Sequence, residues 1–222
     1  IVMIKAVIFD IDGVLLDSRE ANIKFYQLLL KISGYNAPSR KQIEGIFHLP
    51  LLDAIRVLAN ESSEEKVRKV WEMGRGRRVR YPIELLKIPE HAGNVVDGLS
   101  KIYRLAIVTS RVRSGVEDFF RVSGLQKYFE VVVSYEDYTH AKTDPEPLLM
   151  AVERLGVKAE EAVYIGDTAT DIEAARAAGM KIILYAQTSL EGADFCVSSF
   201  REIPGAVGKL NREEWFFYFV LH

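Results

Sequence analysis

The sequence predicts an α/β fold in which a parallel sheet carries helices on both faces and an all-helical subdomain interrupts the chain. Short apolar, β-branched runs recur without the polar alternation of a half-exposed strand. Helical patterns that end at a glycine separate most of these runs. A gap of about ninety residues between the first two runs is much longer than a crossover helix needs, which predicts the insertion.

Five apolar runs are predicted to be buried parallel strands. They are residues 6–9, 105–108, 130–133, 162–165 and 181–185. From the second strand onward the predicted helices are 114–122, 146–155 and 171–178, closed by Gly124, Gly156 and Gly179. This alternation indicates right-handed βαβ units. Ligands of such open sheets bind at the carboxyl ends of the strands, so we expect the functional residues directly after the strands.

The inserted segment is predicted to be helical. Its helices are expected at 18–32, near 40–47, at 51–59, and from 63 onward with a disturbance at Pro82. We therefore predict a core domain of residues 1–16 and 88–222 and a helical cap of residues 17–87. A subdomain inserted directly after the first strand lies over the carboxyl edge of the sheet, where a lid would lie.

Composition argues against several classes of partner. With 29 basic and 31 acidic residues, the chain has no general attraction for nucleic acid or an anionic membrane. The basic run 75–80 is interpreted as a solvated helix face. No run approaches the roughly 20 apolar residues of a membrane helix. The single cysteine, Cys196, is expected to be buried, and its being alone fits a cytoplasmic protein.

The carboxyl-terminal segment 215–221 is unusually aromatic. Packing against the domain's own core or sheet edge is the interpretation preferred here, ahead of a contact between two copies. A monomer and a homodimer are both compatible with the sequence.

Polar side chains follow four of the predicted strands. They are Asp10 and Asp12 after the first, Thr109 and Ser110 after the second, Lys142 beyond the third, and Asp167 and Asp171 after the fourth. Any one alone would be typical of a cap, a turn or an exposed lysine, but together they predict a site. Four converging carboxylates need a cation, and Mg²⁺ is the usual ion beside phosphate. Lys142 and the hydroxyls suit phosphoryl oxygens.

The spacing of Asp10 and Asp12 suggests a mechanism. Residues two apart on an extended strand end point to the same side, so both carboxylates can address one substrate. One can attack phosphorus while the other protonates the leaving oxygen and then activates water. Gly13 permits a sharp turn and close approach. Asp167 and Asp171, four residues apart, share a face if the helix begins within GDTATD.

Four segments in chain order carry a resemblance to a known family: FDIDGVLLDS, VTS, KTDPEP and GDTATD. They resemble the four motifs of the haloacid dehalogenase superfamily, and the helical insertion after the first resembles the first cap class of that superfamily. The resemblance implies a Rossmann-like core. It implies that Asp10 is the nucleophile, that Asp12 is the general acid and base, and that Thr109 and Lys142 bind the phosphoryl group.

The same resemblance implies the metal set and the reaction class. The Mg²⁺ ligands would be Asp10, Asp12 through its carbonyl, and Asp167, with Asp171 in support. Dehalogenases and phosphonate hydrolases of the superfamily lack a carboxylate at the position of Asp12, which leaves phosphate esters. The segment GIFHLPLLDAI resembles the phosphoglycolate phosphatase-like branch, in which a comparable cap loop faces the site.

Three further residues are candidate substrate contacts. Ser110 follows the phosphoryl-binding threonine directly. Arg111 is either a substrate contact or a solvated loop residue, and His48 either lines the pocket from the cap or lies in a surface loop.

The hypothesis is a Mg²⁺-dependent phosphatase acting on a small phosphorylated metabolite. A sugar-phosphate mutase shares every motif, and Arg40 and Lys41 of the cap could hold its substrate while it reorients. A signalling receiver also uses an acidic cluster, a hydroxyl and a lysine on a parallel sheet. The helical insertion and Asp12 count against the receiver.

Overall fold

The computed structural model describes residues 3–220, and side chains only as far as Asn211. Within that range the strands form one parallel six-stranded sheet in the order β3-β2-β1-β4-β5-β6. The strands are β1 (Ala6–Phe9), β2 (Arg104–Val108), β3 (Val131–Val133), β4 (Ala162–Gly166), β5 (Lys181–Tyr185) and β6 (Phe195–Val197). The predicted α/β class is confirmed, and β6 is a strand that sequence reasoning missed.

The helices fall into an inserted group and a group that covers the sheet. The inserted helices are α1 (Arg19–Ile32), α2 (Arg40–Glu44), α3 (Leu51–Ala59) and α4 (Glu64–Arg75). The others are α5 (Ala92–Ser100), α6 (Arg113–Ser123), α7 (Glu146–Leu155), α8 (Ala169–Ala177) and α9 (Ile203–Val220). Helices α5 and α9 were not predicted. The aromatic segment 215–221 lies outside the residues whose side chains are described.

The two faces of the sheet are buried by different helices. In β1, Val7 and Phe9 pack in one apolar cluster with α5, α6 and α9. Ala6 and Ile8 point the opposite way and pack with α7 and α8. Alternate residues of a strand point to opposite faces, so a strand covered on both faces is apolar throughout. This is why every residue of β1 is apolar.

The inserted helices have apolar clusters of their own. Phe25 and Leu29 of α1 pack with Val67 and Trp71 of α4. The segments entering and leaving the insertion lie side by side, because Asp17 and Lys87 exchange backbone hydrogen bonds of 2.9 and 3.1 Å. We propose on this basis the division into a core of residues 1–16 and 88–222 and a cap of residues 17–87.

Two expectations about individual segments were wrong. Cys196 is exposed, because it lies on the edge strand β6 and points to the opposite face from the buried Val197. The basic run 75–80 is not a helix face, since α4 ends at Arg75 and the chain then turns. Among the described helices, none combines the length and apolarity needed to cross a membrane.

Candidate active site

A cavity of about 790 Å³ lies between the carboxyl edge of the sheet and the cap. The side chains lining it come from both parts of the chain. They include every predicted site residue except Thr109: Asp10, Asp12, His48, Ser110, Arg111, Lys142, Asp167 and Asp171. The ends of β1, β2 and β4 supply most of them, as expected of neighbouring parallel strands.

Lys142 joins two buried carboxylates. Its Nζ donates to Oδ2 of Asp10 at 2.7 Å and to Oδ1 of Asp171 at 3.1 Å. The three side chains are only 5%, 11% and 1% exposed, respectively. Burial opposes the charge of Lys142, but the two carboxylates outweigh it and raise the pKa of the ammonium above its ordinary value. Lys142 is therefore a fixed cation at the floor of the cavity.

Asp171 is held by protein donors on both carboxylate oxygens. Oδ1 also accepts from the Tyr164 hydroxyl at 3.1 Å, and Oδ2 accepts from the backbone amides of Asp167 and Thr168, each at 3.1 Å. Despite burial, Lys142 and the Thr168 donors lower the pKa of Asp171 below its ordinary value. Such a saturated carboxylate is suited to positioning Lys142 and the loop before α8.

The expected shared helix face of Asp167 and Asp171 is not what brings them together. Helix α8 begins at Ala169, so Asp167 precedes it. Asp171 instead turns back to cap the first turn and bonds the Asp167 amide. A Cβ atom at Gly166 would overlap the Asp171 side chain, so only glycine permits this return.

The residues present fit a divalent cation. Oxygen atoms of Asp10, Asp167 and Asp171 lie within 4.8 Å of one another. Burial, opposed by Lys142 and reinforced by Asp171, raises the pKa of Asp10 to about 7. Burial, Asp10 and Asp171 raise the pKa of Asp167 to about 8. The site thus holds more negative charge than its own cations offset, and an all-oxygen donor set of this kind suits Mg²⁺.

Gly13 makes room for the Asp167 carboxylate. Its φ is +75°, a conformation that favours glycine, and a Cβ atom there would overlap the carboxylate. The turn after β1 and the end of β4 therefore approach each other closely because residue 13 has no side chain.

Asp12 forms a two-bond ion pair with Arg111. Nε of Arg111 donates to Oδ2 at 2.7 Å, and Nη2 donates to Oδ1 at 2.8 Å. The Ser18 hydroxyl also donates to Oδ1. The pair joins residues 99 positions apart. Of the two interpretations of Arg111, the structure therefore favours a residue of the site over a solvated one.

Tyr81 is a site residue that sequence reasoning missed. It lies in the segment that returns from the cap, and its hydroxyl donates to Oδ1 of Asn22 at 2.6 Å. The same hydroxyl accepts from Nη2 of Arg111 at 3.1 Å. Since Asn22 belongs to α1, this chain of bonds links the cap to the Asp12–Arg111 pair. The only nearby sequence signal is the turn at Pro82.

The two hydroxyl residues after β2 occupy different positions. Thr109 is fully buried, and its Oγ1 accepts from the Arg111 amide at 3.2 Å. Its backbone carbonyl accepts from the Tyr138 hydroxyl at 3.3 Å. Ser110 lines the cavity. In this conformation Ser110, rather than Thr109, faces the space where a ligand would lie.

The cap contributes an apolar wall with one histidine. Phe25, Tyr26, Phe47 and Leu49 line the cavity together with His48, which is exposed. Both expectations for His48 therefore hold in part, because it lies in an exposed turn of the cap that also borders the cavity.

Arg40 and Lys41, considered as anchors for a mutase substrate, are not among the cavity residues. Arg40 forms an exposed two-bond pair with Glu20 at 2.7 and 2.8 Å.

Comparisons with known proteins agree with the resemblance seen in the four motifs. Residues 7–185 match the family of haloacid dehalogenase-like hydrolases. The pyrophosphatase PpaX of Bacillus velezensis is 31% identical over 191 residues, 86% of either chain. A haloacid dehalogenase-superfamily hydrolase of Geobacter sulfurreducens has a TM-score of 0.70 and 29% identity, with 92% of this chain and 97% of that chain covered.

A Thermotoga maritima protein assigned as a β-phosphoglucomutase is 28% identical. Its TM-score is 0.69, with 93% of this chain and 99% of that chain covered. The family match covers β1 from Val7 through β5, the inserted helices and all four motifs. The chain therefore belongs to the haloacid dehalogenase-like hydrolases.

Proposed function

We propose that this enzyme is a Mg²⁺-dependent phosphatase that hydrolyses a phosphate monoester or anhydride of a small metabolite through an aspartyl-phosphate. One observation carries the proposal. A buried carboxylate, Asp10, lies at the cavity floor beside a fixed cation, Lys142, and next to a turn that presents a second carboxylate, Asp12. This combination supplies a nucleophile, a phosphoryl-binding cation and a proton carrier.

Each residue has one role in the reaction. An Asp10 oxygen attacks phosphorus, the bond to the leaving oxygen breaks, and Asp12 gives that oxygen a proton. Asp12 then takes a proton from water as the water attacks the aspartyl-phosphate, which releases phosphate and regenerates Asp10. Lys142 and the Ser110 hydroxyl, which both line the cavity, would bind the phosphoryl oxygens, and Thr109 would support the loop that carries Ser110 and Arg111.

The charge of the site supports one divalent ion. The four carboxylates Asp10, Asp12, Asp167 and Asp171 face two cations, Lys142 and Arg111, which leaves two negative charges. Asp10 and Asp167 would hold Mg²⁺ through side-chain oxygens, and the resemblance adds the Asp12 carbonyl. When bound, Mg²⁺ neutralises charge that develops on the phosphoryl oxygens. Asp171, with both oxygens occupied, acts by positioning.

Pyrophosphate is the first substrate to test, because the similar Bacillus protein is named a pyrophosphatase. A mutase is the second candidate, supported by the similarity to the Thermotoga protein. Arg40, which could have held a mutase substrate, is not among the cavity residues and pairs with Glu20 instead. A receiver would use neither the large cavity nor Asp12. Cytoplasmic location and oligomeric state stay predictions.

The test is phosphate release by the wild type and by Asp10→Asn. We expect continuous release from p-nitrophenyl phosphate and pyrophosphate with Mg²⁺, and none in excess EDTA. Asp10→Asn should lower kcat by at least about 10⁴-fold because it removes the nucleophile. Asp97→Asn, an exposed carboxamide substitution on α5, is the matched control and should match the wild type.

Three outcomes would contradict the proposal. Turnover by Asp10→Asn at the wild-type rate would exclude Asp10 as nucleophile. A single phosphorylation without further phosphate release would indicate a receiver. Isomerisation of a sugar phosphate without net phosphate release, followed by ³¹P NMR, would indicate the mutase.

A further inference from the structure

Both carboxylate oxygens of Asp12 are engaged by protein donors. Oδ2 accepts from Arg111, and Oδ1 accepts from Arg111 and from the Ser18 hydroxyl. A residue that is to protonate a leaving oxygen must present an oxygen to it within hydrogen-bond reach. In this geometry each oxygen of Asp12 already accepts a hydrogen bond from Arg111, so a leaving oxygen that approaches Asp12 competes with Arg111 for it in the proposed phosphatase reaction.

Loss of Asp12 would leave Arg111 without an anionic partner. Its side chain is only 9% exposed, and leaving a buried guanidinium unpaired is strongly unfavourable. The neutral Tyr81 hydroxyl is its other hydrogen-bond partner among residues 3–211, whose side chains are described. An anion that the substrate brings into the cavity would therefore stabilise Arg111 when Asp12 turns to the leaving oxygen.

Arg111 has a hydrogen-bond donor available for such an anion. Its Nη1 makes no hydrogen bond within the part of the chain whose side chains are described, and Arg111 lines the cavity. Gly115 of α6 leaves space there, since a Cβ atom would stand 3.2 Å from Nη1. A guanidinium binds phosphate and carboxylate through paired hydrogen bonds, as it binds Asp12 here.

Two other cations of the cavity already have carboxylate partners. Lys142 is held between Asp10 and Asp171 at the floor. Arg77 reaches across from the cap to Glu117 and Asp118 of α6, at 2.9 and 3.2 Å. Arg111 is the cation that contacts the proposed acid and base directly.

We propose that Arg111 exchanges Asp12 for an acidic group on the leaving portion of the substrate, so that this group both binds the enzyme and frees Asp12. The inference rests on the proposed phosphatase function and adds a substrate class to it. Preferred substrates carry a second acidic group close to the scissile bond. That group is a phosphoryl group, as in pyrophosphate, or a carboxylate, as in 2-phosphoglycolate.

The test compares kcat/KM for these two substrates with kcat/KM for p-nitrophenyl phosphate, whose leaving group lacks an acidic substituent. The wild type should prefer at least one acidic substrate, and whichever it prefers identifies the acidic group. In Arg111→Gln, kcat/KM for the preferred acidic substrate divided by kcat/KM for p-nitrophenyl phosphate should fall about 10- to 100-fold. This is the effect expected from losing a charge-assisted hydrogen bond. Arg111→Lys should fall less, because it keeps the charge but loses the paired donors.

Arg113→Gln is the matched control. Arg113 lies two residues away and pairs with Asp137 on the exposed surface at 3.1 Å, so its substitution should leave the ratio unchanged. If circular dichroism shows that Arg111→Gln does not fold, the same ratio is compared between Arg111→Lys and the wild type.

The outcomes separate this inference from the proposed function. An equal fall of kcat/KM on all three substrates would mean that Arg111 only positions Asp12, which would overturn the inference and leave the phosphatase intact. A wild type that prefers p-nitrophenyl phosphate over both acidic substrates would overturn it as well. Absence of turnover on every substrate, with Mg²⁺ present, would instead reject the phosphatase itself.

Discussion

The carboxyl edge of the sheet and the cap differ in where their charged side chains lie. At the edge, Asp10, Lys142 and Asp171 are buried and bonded to one another. In the cap, Lys69 and Glu65 of α4 form an ion pair although their side chains are 72% and 78% exposed, respectively. The cap is held by its apolar clusters, whereas the edge concentrates charge where water is largely excluded.

The difference fits the proposed function, in which the buried charges at the edge take part in the reaction. Burying ions removes their favourable hydration, and the attraction between the ions offsets this cost only in part. A chain selected for stability alone would not need four carboxylates beneath one cavity. Exposed pairs such as Lys69–Glu65 contribute little because water and salt screen them. The comparison therefore predicts large effects of substitution at the edge and small effects on the surface of the cap.

The largest effect is expected from Lys142→Met. Without the ammonium, the carboxylates of Asp10 and Asp171 lose their shared partner, and the free energy of unfolding in EDTA should fall by about 3 kcal/mol or more. Loss of a phosphoryl-binding cation should also lower kcat by roughly 10²- to 10³-fold. Urea denaturation and steady-state kinetics measure both, with exposed Lys101→Met as control. Unchanged stability of Lys142→Met would mean that the buried charges are not coupled.

An intermediate effect is expected from pH in the absence of metal. The folded pKa values of Asp10 and Asp167 are about 7 and about 8, against an ordinary 3.8, so the folded state binds more protons than the unfolded state between these limits. The free energy of unfolding should therefore fall as pH rises from 4 to 8. The pKa of Asp171 is lowered from 3.8, so its titration affects stability only below about pH 4, outside this range.

Urea denaturation at pH 5.5 and 8.5 tests this slope. In EDTA the protein should be less stable at pH 8.5, and saturating Mg²⁺ should reduce the difference because the ion binds the ionised carboxylates. Asp167→Asn should flatten the slope. A metal-free protein that gains stability toward pH 8.5 would contradict the raised pKa values.

The smallest effect is expected from Lys69→Gln in the cap. Its partner Glu65 is one turn earlier on α4, and both side chains are largely exposed. The free energy of unfolding should change by no more than about 0.5 kcal/mol, and kcat should not change. A loss comparable to that of Lys142→Met would erase the distinction between the two regions.

Local pattern accounts for most of what could be predicted. Strands such as β1 and β4 are buried on both faces and therefore read as unbroken apolar runs. Helix α7 ends at Gly156, whose positive φ terminates it. Strand β6 was missed because an edge strand of three residues is half exposed and lacks that pattern. The same edge position explains why Cys196 is exposed.

The sequence by itself determined where the polar residues lie relative to the strands. Asp10 and Asp167 directly follow β1 and β4, Lys142 lies in the loop beyond β3, and parallel pairing brings these strand ends to one edge. Only the tertiary structure decided which side chains meet there. The Arg111 pair with Asp12, the Tyr81 link to the cap and the saturation of Asp171 depend on contacts between distant residues. Sequence periodicity describes neighbours along one element, whereas these contacts arise from packing among elements.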